Sequence, residues 1–236
     1  MKTFTRIPLL LGCAALLSGT AVSTAQDASS PEPTLQEMVQ RIAMLQAEVE
    51  RLAHIEEIEN LQRIFGFYTD KELWTQAADL FSQQGSIEVG GEGVYQGKER
   101  VLEYLSSKSP VEGPRAGILT DYMQLMPVID VYPDGTAKGR WHTFTQEAVF
   151  GESHHLGTGI YENDYVLEDG VWKIAGIHLY TTMRSDYDQG WAVDAEPRTT
   201  PSTVLPPDAP PSVAYDNYPA VFVPPFHYPN PVTGAA

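Results

Sequence analysis

The sequence predicts an α+β fold, in which helices come first and an antiparallel sheet follows. Two observations lead to this prediction. Apolar residues recur at helical spacing as far as Leu105, and from Met123 to Thr182 they fall into strand-length segments separated by turn sequences. Helices followed by a run of strands are typical of α+β domains. A chain of 236 residues with 42% apolar residues provides for one core rather than two.

The first 25 residues have the pattern of a secretory signal peptide. Lys2 and Arg6 form a short basic region, residues 7–17 form an apolar region, and a cleavage site of small residues ends at Ala25. We therefore expect export to the periplasm or the medium, a linker at 26–33, and no membrane insertion after cleavage. Lipidation of Cys13 is the weaker alternative, because the apolar region before it is too short.

The composition excludes several classes of chemistry. Cys13 is the only cysteine, so signal cleavage leaves no thiol nucleophile, disulfide or cysteine metal ligand. Removing Lys2 and Arg6 would take the formal net charge from −16 to −18, which repels nucleic acid. The histidines lack the close spacing of a zinc site, and no glycine-rich phosphate loop occurs. We expect no metal, no cofactor and no nucleic-acid partner.

The segment 34–54 is predicted as a helix with a heptad pattern. Its apolar residues are spaced three and four apart: Leu35, Met38, Ile42, Leu45, Val49 and Leu52. This seam could pair with its copy in a second subunit or lie on its own domain. The helical pattern continues to Phe65 and is expected to break at Gly66. Asp70 would then cap a second helix over 71–81.

Short strands and a third helix precede the main sheet. The strands are predicted at 86–89 and 93–95, and the helix at 97–105. Four longer strands, joined by polar or glycine-containing turns, are then predicted as an antiparallel meander at 123–132, 136–150, 156–167 and 171–182.

The segment 191–236 differs in composition from the rest of the chain. Eleven prolines fall between Pro197 and Pro231, and aromatic residues are interleaved with them. Proline-rich linkers are extended and solvated, but aromatic side chains favour burial. We expect residues 215–228 to lie across the domain or a neighbouring subunit on a polyproline II backbone, and residues 199–211 to span the gap.

Six short motifs follow one another through the central part of the chain. They are Ile58-Glu59-Asn60-Leu61, Tyr68-Thr69-Asp70-Lys71-Glu72-Leu73-Trp74, Ala78-Asp79-Leu80-Phe81, Gly93-Val94-Tyr95-Gln96-Gly97, Gly159-Ile160-Tyr161-Glu162-Asn163-Asp164-Tyr165-Val166 and Asp169-Gly170-Val171-Trp172-Lys173-Ile174. In order and spacing they resemble the SnoaL-like domains of the nuclear transport factor 2-like superfamily, and we place such a domain at 55–190. The resemblance implies a curved antiparallel sheet wrapped into a cone, with about three helices over an apolar pocket.

The resemblance also implies a function. Related proteins are cofactor-independent lyases, dehydratases or isomerases, so we expect general acid/base chemistry on a hydrophobic aromatic or polycyclic small molecule. The alternative is a non-catalytic small-molecule-binding or assembly protein that uses the same cavity and tail. A homodimer or higher homo-oligomer is expected, because the open sheet face, the heptad helix and the tail offer apolar surface.

Three residues, two before the second helix and one at the start of a sheet strand, are candidates by the same resemblance. Asp70 lies where scytalone dehydratase-like proteins place a pocket acid, and its alternative role is a helix cap. Tyr68 could donate a hydrogen bond to a developing oxyanion, although those proteins have this tyrosine where Thr69 stands here. Tyr122 falls where the same relatives have a pocket histidine.

Side chains on the strand from Gly139 alternate between two faces, and either face could line the pocket. One face carries Arg140 as a clamp for an anion or a carbonyl and His142 as a general acid/base. The other carries Trp141 as a stacking wall and Glu147 as a second acid.

Two later strands add further candidates for substrate binding. Tyr161 and Asn163 share one face of their strand and could bind a carbonyl or phenol oxygen, although Tyr161 could equally be core. His178, on the same face as Tyr180, is expected to line the cavity or satisfy a core hydrogen bond.

Overall fold

Three helices and six strands make up the regular structure of residues 33–235, the part of the chain that the computed structural model describes. The helices are α1 (Leu35–Asp70), α2 (Trp74–Asp79) and α3 (Lys98–Ser106). The strands are β1 (Phe81–Val89), β2 (Val94–Gln96), β3 (Ile118–Val131), β4 (Thr136–Val149), β5 (Ser153–Glu168) and β6 (Val171–Asp186). The α+β fold is confirmed.

Some predictions for the N-terminal region lie outside the described residues. These are the signal peptide at 1–25, the possible lipidation at Cys13 and most of the linker at 26–33. The described residues fall into two units that are divided between Ile42 and Ala43, and the second unit carries the sheet. Between residues 33 and 235, no helix is both long enough and apolar enough to cross a membrane.

The six strands form one sheet in the order β2-β1-β6-β5-β4-β3. The meander predicted from the sequence is confirmed as β3 to β6, with every neighbouring pair antiparallel. The turn predicted between the strands at 136–150 and 156–167 is shorter than expected, because β5 already begins at Ser153 and includes His154 and His155. β1 adds to the other side of β6 in parallel, with Ile87 opposite Ile177. This pairing joins segments that are far apart in the chain, so local sequence patterns do not predict it.

From Ile58 onward, helix α1 packs one face against the sheet, and it runs without interruption to Asp70. Its buried residues recur at intervals of three or four, with Gly66 beside Phe65: Ile58, Gln62, Phe65, Gly66 and Thr69. The break predicted at Gly66 is therefore wrong. Glycine costs only about 1 kcal/mol in a helix, and packing of the buried face outweighs that cost. A side chain at this position would also collide with Gln124, whose Cγ lies 2.8 Å from the place of a Cβ.

The second helix is shorter than predicted, and Asp70 does not cap it. Helix α2 follows Leu73 without a side-chain cap. The Asp70 carboxylate instead accepts a hydrogen bond from the backbone N–H of Tyr122 on β3, at 2.7 Å. The helix ends at Asp79 because Phe81 already belongs to β1, where it lies opposite Ile174 of β6.

The heptad seam of α1 is exposed where it belongs to the second unit. Leu45, Val49 and Leu52 are 58%, 65% and 52% exposed. This part of the seam therefore does not pack on its own domain. Pairing with a second copy of the chain stays a prediction.

The C-terminal segment packs on the outer face of the sheet, as predicted for residues 215–228. The Tyr215 ring is buried and stacks on Phe222, with ring centroids 4.7 Å apart. Residues 199–211, which were expected to span the gap, also contact the domain. Leu205 accepts a hydrogen bond from Tyr95, and Asp208 accepts one from Arg100.

Candidate active site

The inward face of the sheet and the helices enclose a cavity of about 380 Å³. Thr143, Thr145 and Glu147 of β4 face it, which decides between the two faces that the sequence left open. The walls are largely apolar and include Phe65, Ile87, Leu105, Ile177, Leu179 and Met183. Small-molecule sites in proteins measure about 300–1,000 Å³ and are mostly apolar, so the cavity suits a small hydrophobic ligand.

Four polar side chains that line the cavity form a hydrogen-bonded series, and His155 lies at its end. The Tyr122 hydroxyl donates to one oxygen of Glu147. Arg184 Nε donates to the other oxygen at 3.0 Å, and Arg184 Nη1 donates to Glu196. The second oxygen of Glu196 lies 3.1 Å from His155 Nε2. Glu147 is thus held by one donor on each oxygen, and Glu196 fixes the second of those donors.

Electrostatics keep the two donors to Glu147 protonated. Burial, followed by the adjacent Glu147 carboxylate, raises the pKa of Tyr122 well above its ordinary value. Burial acts to lower the pKa of Arg184, but the carboxylates of Glu147 and Glu196 outweigh it, and the pKa is raised. Both groups therefore remain donors over the physiological pH range.

Residues 196–199, called the strap below, form one side of the cavity. The strap crosses the Gly90-Gly91 turn closely, and the Gly91 N–H donates to Thr199 Oγ1 at 3.2 Å. A Cβ at Gly90 would lie 2.6 Å from that oxygen, and one at Gly91 would lie 2.1 Å from the Thr199 carbonyl oxygen. Side chains at these two positions would prevent the strap from seating.

The remaining tail holds the strap in place. The Asn217 amide donates to the Glu196 carbonyl at 2.8 Å. Arg198 donates to the Val213 carbonyl at 3.2 Å, and its guanidinium lies 4.9 Å from the centre of the Tyr215 ring. Tyr215 and its neighbours in the tail therefore help to hold the strap, which forms one side of the cavity.

Three cavity-lining side chains bury a polar atom that has no hydrogen-bond partner among residues 33–235. They are Trp74 Nε1, Tyr104 Oη and Thr143 Oγ1. The three residues are 5%, 3% and 1% exposed, in that order. An unpaired buried polar group costs about 1–3 kcal/mol. The indole N–H can only donate, so it fits an acceptor atom on a ligand.

Of the residues predicted from sequence, Tyr122 and Tyr161 line the cavity. Burial raises the pKa of Tyr161 to about 12, so its hydroxyl stays protonated. Asp70 and Tyr68 do not line it: Asp70 binds the backbone of β3, and Tyr68 packs against the core. Burial, the largest cause, raises the pKa of Asp70.

His142, Arg140 and His178 lie on the outer face of the sheet, so their predicted places in the pocket are wrong. His142 is exposed, and Arg140 pairs with Glu162 beneath the tail. His178 shares a face with Tyr180, as expected, and the two rings stack at 3.8 Å. The cause is the alternation of strand residues, which turns these side chains outward when their neighbours face inward.

Trp141 and Asn163 point inward but belong to the core rather than to the cavity wall. Trp141 Nε1 donates to the Tyr165 hydroxyl at 2.9 Å. Gln62 Oε1 accepts from Tyr165 at 2.8 Å and from Asn163 at 3.0 Å. This buried network ties α1 to β4 and β5. The predicted stacking wall at Trp141 and the oxygen-binding role of Asn163 are therefore wrong.

Sequence reasoning missed Arg184 and Glu196. It also missed the three buried polar atoms that have no partner among residues 33–235, which belong to Trp74, Tyr104 and Thr143. Arg184 lies on the last strand, and a single charged residue there carries no distinctive pattern. Glu196 lies in the proline-rich segment, which gave no signal of contact with the cavity. In the described part of the chain, no group of three or more His, Cys, Asp or Glu side chains is placed to hold a metal ion.

Residues 50–178 match the SnoaL-like domain family, which is more than half of the chain. A similar solved structure is a provisionally named scytalone dehydratase from Novosphingobium aromaticivorans, with 19% identity, a TM-score of 0.52, and coverage of 64% of this chain and 95% of that one. Another is the type 3 hexachlorocyclohexane dehydrochlorinase of Novosphingobium barchaimii, with 18% identity, a TM-score of 0.52, and coverage of 59% and 93%. At such identities the likeness shows a shared fold. No curated protein sequence matches the chain.

Proposed function

We propose that this chain, which belongs to the SnoaL-like domain family, is a cofactor-independent enzyme of the lyase, dehydratase or isomerase type. Its substrate would be a hydrophobic, aromatic or polycyclic small molecule bound in the cavity. The observation that carries the proposal is the Glu147 carboxylate, held between Tyr122 and Arg184 inside a largely apolar cavity. The family and the fold are compatible with this chemistry but do not specify a reaction.

In the proposed mechanism, Glu147 removes a proton from a carbon of the bound substrate. Its two donors fix the carboxylate in one orientation, which general base catalysis requires. The negative charge that develops on the substrate would be stabilised by hydrogen bonds from cavity donors that have no partner among residues 33–235, such as Trp74 and Thr143. In an isomerisation Glu147 returns the proton at another carbon. In an elimination, the electron pair of the broken C–H bond forms a double bond and expels the leaving group.

The other polar atoms of the cavity support binding of an oxygen-containing substrate. Trp74, Tyr104 and Thr143 offer hydrogen bonds that no protein group accepts in residues 33–235. The apolar walls exclude water around them, which strengthens each bond to a ligand. A substrate with hydrophobic rings and an acceptor oxygen would satisfy both features.

We further propose that the mature chain acts outside the cytoplasm and as a homo-oligomer. The signal-peptide pattern at 1–25 supports export. The exposed apolar seam of α1, at Leu45, Val49 and Leu52, supports association with a second copy.

The proposal is tested with purified mature protein and a panel of aromatic and steroid-like compounds, followed by thermal shift and by mass spectrometry of products. For any compound that is converted, Glu147→Gln should lower turnover by about 10²- to 10⁴-fold, because general base catalysis is lost. His142→Gln is the matched control, since His142 is exposed on the opposite face, and it should turn over normally. Equal activity of Glu147→Gln and the unmodified protein would remove Glu147 from the mechanism.

A second outcome would favour a different class of function. The three unpartnered polar atoms would bind a ligand whether or not it reacts. Compounds that stabilise the protein without conversion, across the whole panel, would indicate a non-catalytic small-molecule binder.

A further inference from the structure

We infer that Glu196, carried by the C-terminal extension, is a positioning residue that holds Glu147 in its reactive orientation through Arg184. This inference rests on the proposed role of Glu147. It implies that the carboxylate is correctly placed only while the strap is seated. The inference concerns residues beyond 178, where the match to the SnoaL-like domain family ends.

The contacts of Arg184 support this role. Its guanidinium donates to Glu147 through Nε and to Glu196 through Nη1, so it bridges the two carboxylates. A guanidinium is a planar, rigid donor, and fixing one edge fixes the direction of the other. Without Glu196, the Arg184 guanidinium would keep Glu147 as its single carboxylate partner and could rotate about that hydrogen bond.

The strap is anchored at the point where this bridge forms. The Glu196 backbone N–H donates to the Arg184 carbonyl at 2.9 Å, so the two residues are adjacent in backbone as well as in side chain. The Asn217 amide holds the Glu196 carbonyl from the other side. His155 lies against the second oxygen of the Glu196 carboxylate, at 3.1 Å. The Glu196 side chain is thus constrained at both oxygens and on both sides of its backbone.

The structure also contains an equivalent ion pair outside the cavity. Arg140 and Glu162 pair on the outer face of the sheet, beneath the tail. Glu162 also contacts His227 of the tail, at 2.9 Å. This pair has the same chemistry as Arg184 with Glu196, and it also joins the sheet to the extension. It does not touch the cavity, so it provides a matched control.

The test compares Glu196→Gln and Glu196→Ala with Glu162→Gln, using a substrate found in the panel above. Groups that orient metal ligands from behind contribute about 10- to 100-fold, and by analogy we expect kcat to fall by about that factor in Glu196→Ala. KM should change less than kcat, because Glu196 acts on Glu147 through Arg184 even though it also forms part of the cavity wall. Glu196→Gln should retain part of the activity, since its amide oxygen still accepts from Arg184. Glu162→Gln should leave kcat unchanged.

A double variant identifies the route. In a Glu147→Gln background, Glu196→Ala should cause no further loss, because the group that it positions is gone. An additional loss of similar size would overturn the inference and point to a general structural effect. Normal kcat in Glu196→Ala, together with loss in Glu147→Gln, would overturn the inference and leave the proposed function standing. Normal turnover in Glu147→Gln would instead overturn the proposed function itself.

Discussion

The anchoring of the tail by Tyr215 leads to a prediction about local motion. The Tyr215 residue is 7% exposed, and its ring contacts Phe222 and Tyr180. Its hydroxyl accepts the backbone N–H of Thr181, at 2.9 Å. Tyr215→Ala removes all of these contacts, and truncating a buried large aromatic residue costs about 3–5 kcal/mol. Because the tail lies on the outer face of the sheet, we expect the substitution to destabilise docking of the tail rather than folding of the sheet.

The expected size of the effect follows from that cost. Each 1.4 kcal/mol is a factor of ten in an equilibrium, so a cost of about 3–5 kcal/mol should raise the population of chains with an undocked tail by roughly 10²- to 4 × 10³-fold. Tyr215→Phe is the matched control. It keeps the ring and leaves only the Thr181 N–H unpaired, which costs about 1 kcal/mol and raises the same population about fivefold.

Hydrogen exchange measured by mass spectrometry provides the assay. Peptides covering residues 196–199 and 212–222 should exchange much faster in Tyr215→Ala, whereas peptides from β4 and β5 should keep their protection. Faster exchange of the strap would demonstrate that the tail holds it in place. Unchanged exchange in both peptides would refute the reasoning. An equal loss of protection across the sheet would also refute it, because the tail would then unfold only with the whole domain.

Two further variants test the core and the acid near β3. Gln62→Leu leaves Asn163 and Tyr165 without their buried acceptor. The free energy of unfolding, measured with urea, should therefore fall by about 2–4 kcal/mol. An unchanged free energy of unfolding would contradict a stabilising role of the network. Burial raises the pKa of Asp70, so the folded state binds its proton more tightly than the unfolded chain does, and the charged form destabilises the fold. Asp70→Asn keeps an acceptor for the Tyr122 N–H. Melting curves from pH 3 to 7 should therefore show it at least as stable as the unmodified protein at pH 7, with any gain disappearing below about pH 4. Lower stability at pH 7 would contradict this reasoning, and retained turnover would separate Asp70 from the catalytic role predicted for it from the sequence.

The fold was predictable to the extent that local patterns determine it. The strands β3 to β6 alternate regularly and are joined by short turns, so both their existence and their antiparallel order follow from the sequence. The parallel pairing of β1 with β6 depends on contacts distant in the chain, and no local pattern reports it. The break expected at Gly66 was wrong for a similar reason, since packing against β3 outweighs the low helix propensity of glycine.

The site was less predictable, because alternation places side chains on two faces without saying which face is inside. Glu147 was one of two alternatives, and only the packed sheet excludes His142. Asp70 was attractive by its position in a familiar motif, yet its carboxylate binds a backbone N–H of β3. The backbone conformation and the burial of neighbours decide such cases, and neither is visible in a residue's type or spacing.

The arrangement of the candidate site separates what the family domain supplies from what the extension adds. Tyr122 and Glu147 lie within the matched residues 50–178, whereas Arg184 and Glu196 lie beyond them. Without Arg184, the Tyr122–Glu147 bond would remain, but the other oxygen of that carboxylate would lose its cation. Glu147 would then lie partly buried without an opposite charge beside it, which is costly for an ionised group. Arg184 of β6 thus supplies the charge opposite Glu147, and Glu196 of the strap holds Arg184, so the extension contributes to the electrostatic environment of the site.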